Sequence, residues 1–409
     1  MVIFTYLLVG FLAVVVVMVP FAEAPVEVSS AQDSKEITRS INAFAFDLYG
    51  KVLKPGDNLF LSPYSAAVAL SMVYAGAQGE TEKQMGKVLH YELDKEKVSV
   101  PLGDLNKVIM DSGRRSGAAL NMANAVWVQK GVPLLKEYER LLVENYGAGP
   151  KAVDFHGSPK ASAREINEWA EEETKGRIKD IVSPDSVSQA MLILANAIYF
   201  KAKWASQFHK DFTKPDDFTL LDGNKTRVEM MTQAEDFGYF EGEDFQVLEM
   251  PYRGDELSMV IFLPRAHNGL PEFEKSLTFD KMILYLEQLG QQPVHVYIPR
   301  FTMRDSLNLG RSLKDLGMTD AFDLRKADFT GMTKKRGLFI GKVLQKTFVE
   351  VKEEGTEAAA VTQVTTLWGA MPGKSHLEIP TFKADHPFMF LIRHRKSGAI
   401  LFMGRLVKP

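Results

Sequence analysis

Along residues 37–52, apolar side chains recur every three or four positions, the spacing that places them on one face of a helix. The stretch SPYSAAVALSMVYAGAQG predicts a second helix, opened by Ser62 as N-cap and Pro63 in its first turn and closed by glycine. Residues 121–130 (NMANAVWVQK) have the β-branched and aromatic content of a strand, and SAREINEWAEEETKGRIKDI has the period of an amphipathic helix. From Met191 onward the pattern changes to strands: MLILANAIYF, then FQVLEMPY and LSMVIFLP joined by the turn RGDE, then VHVYIPRF. The chain closes on FMFLIRH and AILFMGRL, joined by RKSG as an antiparallel hairpin. Helices come first and antiparallel strands follow, an α+β pattern. No repeat or Pro/Gly/Ser-rich linker divides the chain, which favours one large domain.

The first residues form an apolar run ending at Ala22-Glu23-Ala24, the small-x-small form of a signal cleavage site. Residues 1–24 are therefore assigned to a secretory signal and 25–409 to a single domain of a secreted, extracellular protein. No Lys or Arg precedes the run and Pro25 follows Ala24, so an uncleaved anchor is the alternative, the run approaching the roughly 18 apolar residues that span a bilayer. A net charge of -3 on 409 residues offers no general attraction to nucleic acid or to an anionic membrane. There is no cysteine, so disulfides, CxxC redox chemistry and thiolate zinc sites are excluded.

Candidate chemistry is sparse. The eight histidines are scattered without HExxH or an i, i+4 pair, and GxSxG, Walker and GxGxxG motifs are lacking, so no catalytic, metal or cofactor site is expected. The carboxylate pairs Glu353-Glu354 and Asp216-Asp217 read as solvated like charges. The basic clusters Lys334-Lys335-Arg336 and Arg393-His394-Arg395-Lys396 read as solvated turns, with a weak polyanion site as the alternative. Asn224 opens an N-glycosylation sequon, NKT, on a turn.

FKADHPFMFLIRH followed by AILFMGRL resembles the C-terminal signature of the serpins, and EEGTEAAAV at residues 353–361 is similar to the hinge of their inhibitory members. The likeness continues in order through LSPYSAAVALSMVYAGAQGET, NAIYFKAKW, LEMPYRGDELSMVIFLP and IPRFTM, covering residues 36–409. The hinge and C-terminal segments are most similar to the neuroserpin-like branch. The resemblance implies a helix-rich N-terminal part, a large central mixed sheet, further antiparallel sheets and an exposed reactive loop at about 353–380. It implies a monomeric inhibitor of a chymotrypsin-, elastase- or trypsin-like serine protease, with no membrane contact after signal removal. Cleavage of the loop and its insertion as an extra strand would trap the acyl-enzyme. A noninhibitory serpin acting as carrier, chaperone or storage protein is the alternative.

The loop residues agree with that expectation. Strand alternation puts Thr356, Ala358, Ala360, Thr362, Val364 and Thr366 on one face, and Glu357, Ala359, Val361, Gln363, Thr365 and Leu367 on the other. The first face carries no ionised group, as burial over an apolar core requires. By the resemblance, the hinge comprises Glu353, Glu354, Gly355, Thr356, Glu357, Ala358, Ala359, Ala360 and Val361. Sheet opening is expected to involve Ser62, Ser65, Asn196, Trp204 and Gln345, the last standing where serpins often have histidine. Ser62 acting only as a helix cap and Trp204 only as core is the blander reading. Gln345 shares a strand face with Val343, Thr347, Val349 and Val351, so its amide must find buried partners. Counting from the hinge places the scissile bond between Gly369 and Ala370, with Trp368 as a neighbouring bait residue. Counting back from Pro387-Phe388 points instead to Lys374-Ser375.

Overall fold

The computed structural model describes residues 30–356 and 379–409. The N-terminal helix, Ala31–Val52, starts at a capping box in which Ser30 and Asp33 satisfy each other's backbone N–H groups. The second helix, Pro63–Tyr74, is capped by Ser62, has proline in its first turn and is buried on every side. Its small residues, Ala66, Ala67 and Ala69, suit a helix packed beneath a sheet rather than along the surface.

The strands, in chain order, are β1 (Leu59–Leu61), β2 (Ala119–Gln129), β3 (Lys151–Val153), β4 (Leu192–Lys203), β5 (Lys214–Thr219), β6 (Lys225–Glu241), β7 (Phe245–Pro251), β8 (Leu257–Pro264), β9 (Gly290–Pro299), β10 (Phe301–Asn308), β11 (Ile340–Lys352), β12 (Gly355–Thr356), β13 (Thr381–Lys383), β14 (Phe388–His394) and β15 (Ile400–Leu406). They form two sheets. The order β1-β15-β14-β8-β7-β6-β9-β13, with β5 on β6, makes the larger. The other runs β10-β11-β12-β4-β2-β3 and mixes parallel with antiparallel pairs.

This mixed sheet positions the candidate site. On one face, Leu192, Leu194, Ile198 and Phe200 of β4 join the main core with the second helix. On the other, Ile193, Ala195 and Ala197 join a separate cluster with Trp127 and with Trp169 of the helix Pro159–Glu173. Strand β4 is therefore buried on both faces, which explains its nearly continuous apolar sequence. The helix expected across SAREINEWAEEETKGRIKDI stops at Glu173, where Lys175 takes a positive φ and the chain turns through Gly176.

Two readings of charged segments are corrected here. Glu353 and Glu354 are buried, not solvated. In the second basic cluster His394 is fully buried and Arg393 pairs with the buried Glu249 at 2.7 Å, so that hairpin is anchored. The adjacent like charges concealed this because Glu353, Glu354 and Arg393 meet partners far away in sequence: Arg300, Lys210 and Glu249. Asp216 and Asp217 remain half-exposed and pair with Lys383, Lys225 and Arg227, while Lys334, Lys335 and Arg336 are exposed.

Candidate functional site: the loop hinge and the sheet seam

Between β4 and β11 the mixed sheet has a seam. Over most of its length these strands pair directly and in parallel, from Leu192 beside Ile340 to Tyr199 beside Phe348. At one end they are separated. There β11 turns through Glu353 and Glu354 and returns as β12, whose Gly355 and Thr356 pair antiparallel with Lys352 and Val351 on one side and with Lys203 and Ala202 on the other. The first two residues after the acidic pair already occupy a new strand position.

Gly355 makes this possible. Its φ of +142° belongs to glycine, and a Cβ there would stand 2.1 Å from the Ala202 carbonyl oxygen. Thr356 is fully buried, and its Oγ1 lies 3.0 Å from the hydroxyl of Tyr252. Tyr252 stacks on Trp204 with ring centroids 4.6 Å apart. Trp204 donates its indole N–H to the carbonyl of Lys352 at 3.0 Å and its backbone N–H to that of Glu354 at 3.1 Å.

The acidic pair pins the turn. The Glu353 carboxylate accepts from Arg300 Nε at 2.7 Å and from the Thr213 hydroxyl. Its carbonyl accepts from the Phe208 N–H, and Glu354 pairs with Lys210 at 2.6 Å. Burial pushes the Glu353 carboxyl up, but the hydrogen bonds from Arg300 and Thr213 outweigh it and hold the group below the ordinary glutamate value.

Midway along the seam, register aligns three amides in one row: Asn124 of β2, Asn196 of β4 and Gln345 of β11. Gln345 makes a reciprocal pair with Ser62, accepting its N–H at Oε1 and donating Nε2 to its carbonyl, both at 2.8 Å. The Ser62 hydroxyl donates to Leu401 O and accepts from the Ser65 N–H. Ser65 Oγ and Asn196 Nδ2 both donate to Asn124 Oδ1. The buried Oδ1 of Asn196 has no partner among the described residues. Ser62, Ser65, Asn196 and Gln345 thus lie in one network under the seam, while Trp204 sits at the hinge end of the sheet.

Sequence reasoning missed Asn124, Tyr252 and Arg300. Asn124 interrupts an apolar strand, which was a usable signal; Tyr252 and Arg300 carried none. Asn224 is exposed on the turn between β5 and β6. Glu357, Ala358, Ala359, Ala360, Val361, Trp368, Gly369, Ala370, Lys374 and Ser375 lie outside the described residues, as does the 1–24 segment.

A family model described as serpin (serine protease inhibitor) matches residues 39–409. The chain belongs to the serpin family. This serpin is 41% identical over 375 residues to an uncharacterized serpin-like protein of Thermococcus kodakarensis, covering 92% of this chain and 86% of that one. It is 37% identical over 387 residues to the leukocyte elastase inhibitor of Homo sapiens, covering 92% and 100%. Among solved structures, the serpin superposes with a TM-score of 0.81 at 31% identity on Serpin48 of the insect Tenebrio molitor, covering 92% and 98%. With the native thermophilic serpin tengpin the TM-score is 0.79 at 29% identity, covering 91% and 94%. The serpin is a protease inhibitor by family rather than a catalyst.

Proposed function

We propose that the protein is a secreted, monomeric suicide-substrate inhibitor of a chymotrypsin- or elastase-like serine protease, trapping the acyl-enzyme by inserting its cleaved loop into the seam. The observation that carries this reading is the register of β12. Thr356 faces Ala202 on one side and Val351 on the other. Extending that antiparallel register sets Thr362 between Asn196 and Gln345, and Thr366 opposite Leu192, where β4 begins. The seam is therefore matched in length by residues 356–366.

That match bears on the bait. A cut after Trp368 or Gly369 leaves the acyl-linked protease just beyond the filled strand. A cut at Lys374-Ser375 adds about five residues of slack, each of roughly 3.3 Å, and relaxes the pull on the enzyme. The hinge-side count thus favours Trp368 and Gly369 over Lys374. Likeness to leukocyte elastase inhibitors supports the same protease class. Secretion rests on the apolar run before Ala24.

Side-chain chemistry along the extended register is favourable. Thr356 already faces the core, so the alternate positions through Thr366 share that face and carry no ionised group. The Thr362 hydroxyl arrives beside the unpartnered Oδ1 of Asn196. About ten new strand residues, at roughly 1 kcal/mol net for each hydrogen bond, supply on the order of 10 kcal/mol.

Incubation with chymotrypsin and with neutrophil-type elastase is expected to give a complex that survives SDS, releasing a C-terminal peptide that begins at Gly369 or Ala370 by mass spectrometry. A released peptide beginning at Ser375 would move the bait to Lys374. Cleavage by every protease without a stable complex, and without a rise in melting temperature, would establish the noninhibitory alternative.

A further inference from the structure

The segment that follows the helix Pro159–Glu173 crosses the outer face of the mixed sheet. Its Ile178, Ile181 and Val182 lie in the second cluster together with Ile193, Ala195 and Ala197 of β4 and with Leu344 of β11. The segment therefore touches both flanks of the seam. It is fixed to the helix by side chains. The Asn167 amide donates to the Val182 carbonyl at 2.9 Å and accepts the Val182 N–H at 3.0 Å, and Glu171 pairs with Lys179 at 2.7 Å. The helix in turn belongs to the β2–β4 flank. Trp169 meets Trp127 of β2 edge-on at 5.9 Å, and Asn121 of β2 donates to the Glu173 carbonyl at 2.9 Å.

The opposite flank reaches the same segment through β11, where alternation puts Leu344, Lys346 and Phe348 on the outer face. Lys346 donates to the carbonyls of Lys179 and Asp180 at 2.7 and 3.0 Å. Asp180 takes a φ of +55°, a conformation that persists outside glycine only where contacts on both sides hold it. Nearer the hinge, Arg177 spans the seam: it donates to Tyr199 of β4, and its Cζ lies 5.8 Å from the ring centroid of Phe348 of β11. Those two rings face each other across the seam at 6.2 Å.

Extending the β12 register sets Val361 between Ala197 and Lys346, and Ala359 between Tyr199 and Phe348. A strand entering there moves β11 away from β4 by one strand spacing, about 4.8 Å. Hydrogen bonds of 2.7 and 3.0 Å to a segment held by the β2–β4 flank do not span that added gap. We propose that residues 177–182 are a strap across the seam and that Lys346 is the positioning residue that keeps it fastened, setting the rate at which the cleaved loop enters. Control of entry rests on the loop insertion proposed above. The strap belongs to the uncleaved protein and is tested there.

Amide hydrogen exchange of the intact, uncleaved chain, read by mass spectrometry of its fragments, is the test. Lys346→Met keeps an aliphatic stem and removes both bonds. Exchange over residues 343–348 should rise by about tenfold or more, because two hydrogen bonds from a charged donor no longer oppose local opening, while the β14–β15 hairpin keeps its protection. Lys346→Arg, whose fork can serve two carbonyls, should restore protection. Lys342→Met, which removes a charge from the same strand face, should leave exchange unchanged. No change over 343–348 in Lys346→Met, an equal rise in the hairpin, the same rise in Lys342→Met, or no restoration by Lys346→Arg would each overturn the strap. After loop cleavage, Lys346→Met should acquire its raised melting temperature faster than the parent by a similar factor. Equal rates alongside faster exchange would overturn control of entry. Absence of any rise in either protein, with the exchange result intact, would overturn loop insertion and control of entry together while the strap stands.

Discussion

Glu353 sets an acid limit on the hinge. Its folded carboxyl titrates below the unfolded value of about 4.3, so the stability it contributes is present above that value and is lost as pH falls through the lower folded value. Glu353→Gln should flatten the acid limb of a plot of urea midpoint against pH in that window. His394 acts at milder pH. Burial pushes its imidazole down, against the opposing pull of Glu256, so protonation disfavours the folded state and stability should start to fall below about pH 6.5. His394→Gln should remove that first step. At Gly355 the constraint is steric: Gly355→Ala forces a Cβ against the Ala202 carbonyl and a backbone conformation costing about 1–3 kcal/mol. The melting temperature of the uncleaved protein should drop, and limited proteolysis near Thr356 should accelerate as β12 leaves the sheet.

At the level of elements, Gln345 ties the β11 flank of the seam to Ser62, and on the same strand the Thr347 hydroxyl donates to the Phe60 carbonyl. Replacing Gln345 with leucine leaves the buried N–H of Ser62 without a partner, at about 1–3 kcal/mol, and its carbonyl with only the Ala66 N–H. Gln345→Leu should lower the urea midpoint of the uncleaved protein. Much of this organisation was legible beforehand. The helix of SPYS, the apolar run of NAIYF and the C-terminal hairpin each follow from local periodicity and capping, and alternation alone put Gln345 on the inward face. The pinning of the acidic pair was not legible, because Arg300, Thr213 and Lys210 reach it from distant positions through sheet register. Nor did the sequence show that Gly355 and Thr356 occupy a strand. A two-residue strand has no period to detect, and its position depends on a glycine conformation visible only when its neighbours are in place.

For the whole molecule, the proposed mechanism makes cleavage a stabilising event. Filling the seam with residues through Thr366 should raise the melting temperature of the nicked protein by on the order of 10 °C. Thr362→Val should leave the uncleaved protein unchanged and diminish that rise, since only the inserted strand brings the hydroxyl to Asn196; scanning calorimetry of both forms reads the difference. The stacked pair of Trp204 and Tyr252 has a further practical consequence. Trp204 is sealed by the Glu353-Glu354 turn and bonded to two of its carbonyls, so its indole senses whether that turn is seated. With Trp127 and Trp169 in the second cluster, and with Trp368 of the loop replaced by phenylalanine, Trp204 serves as an optical probe, and stopped-flow emission can time the departure of the hinge without any attached dye.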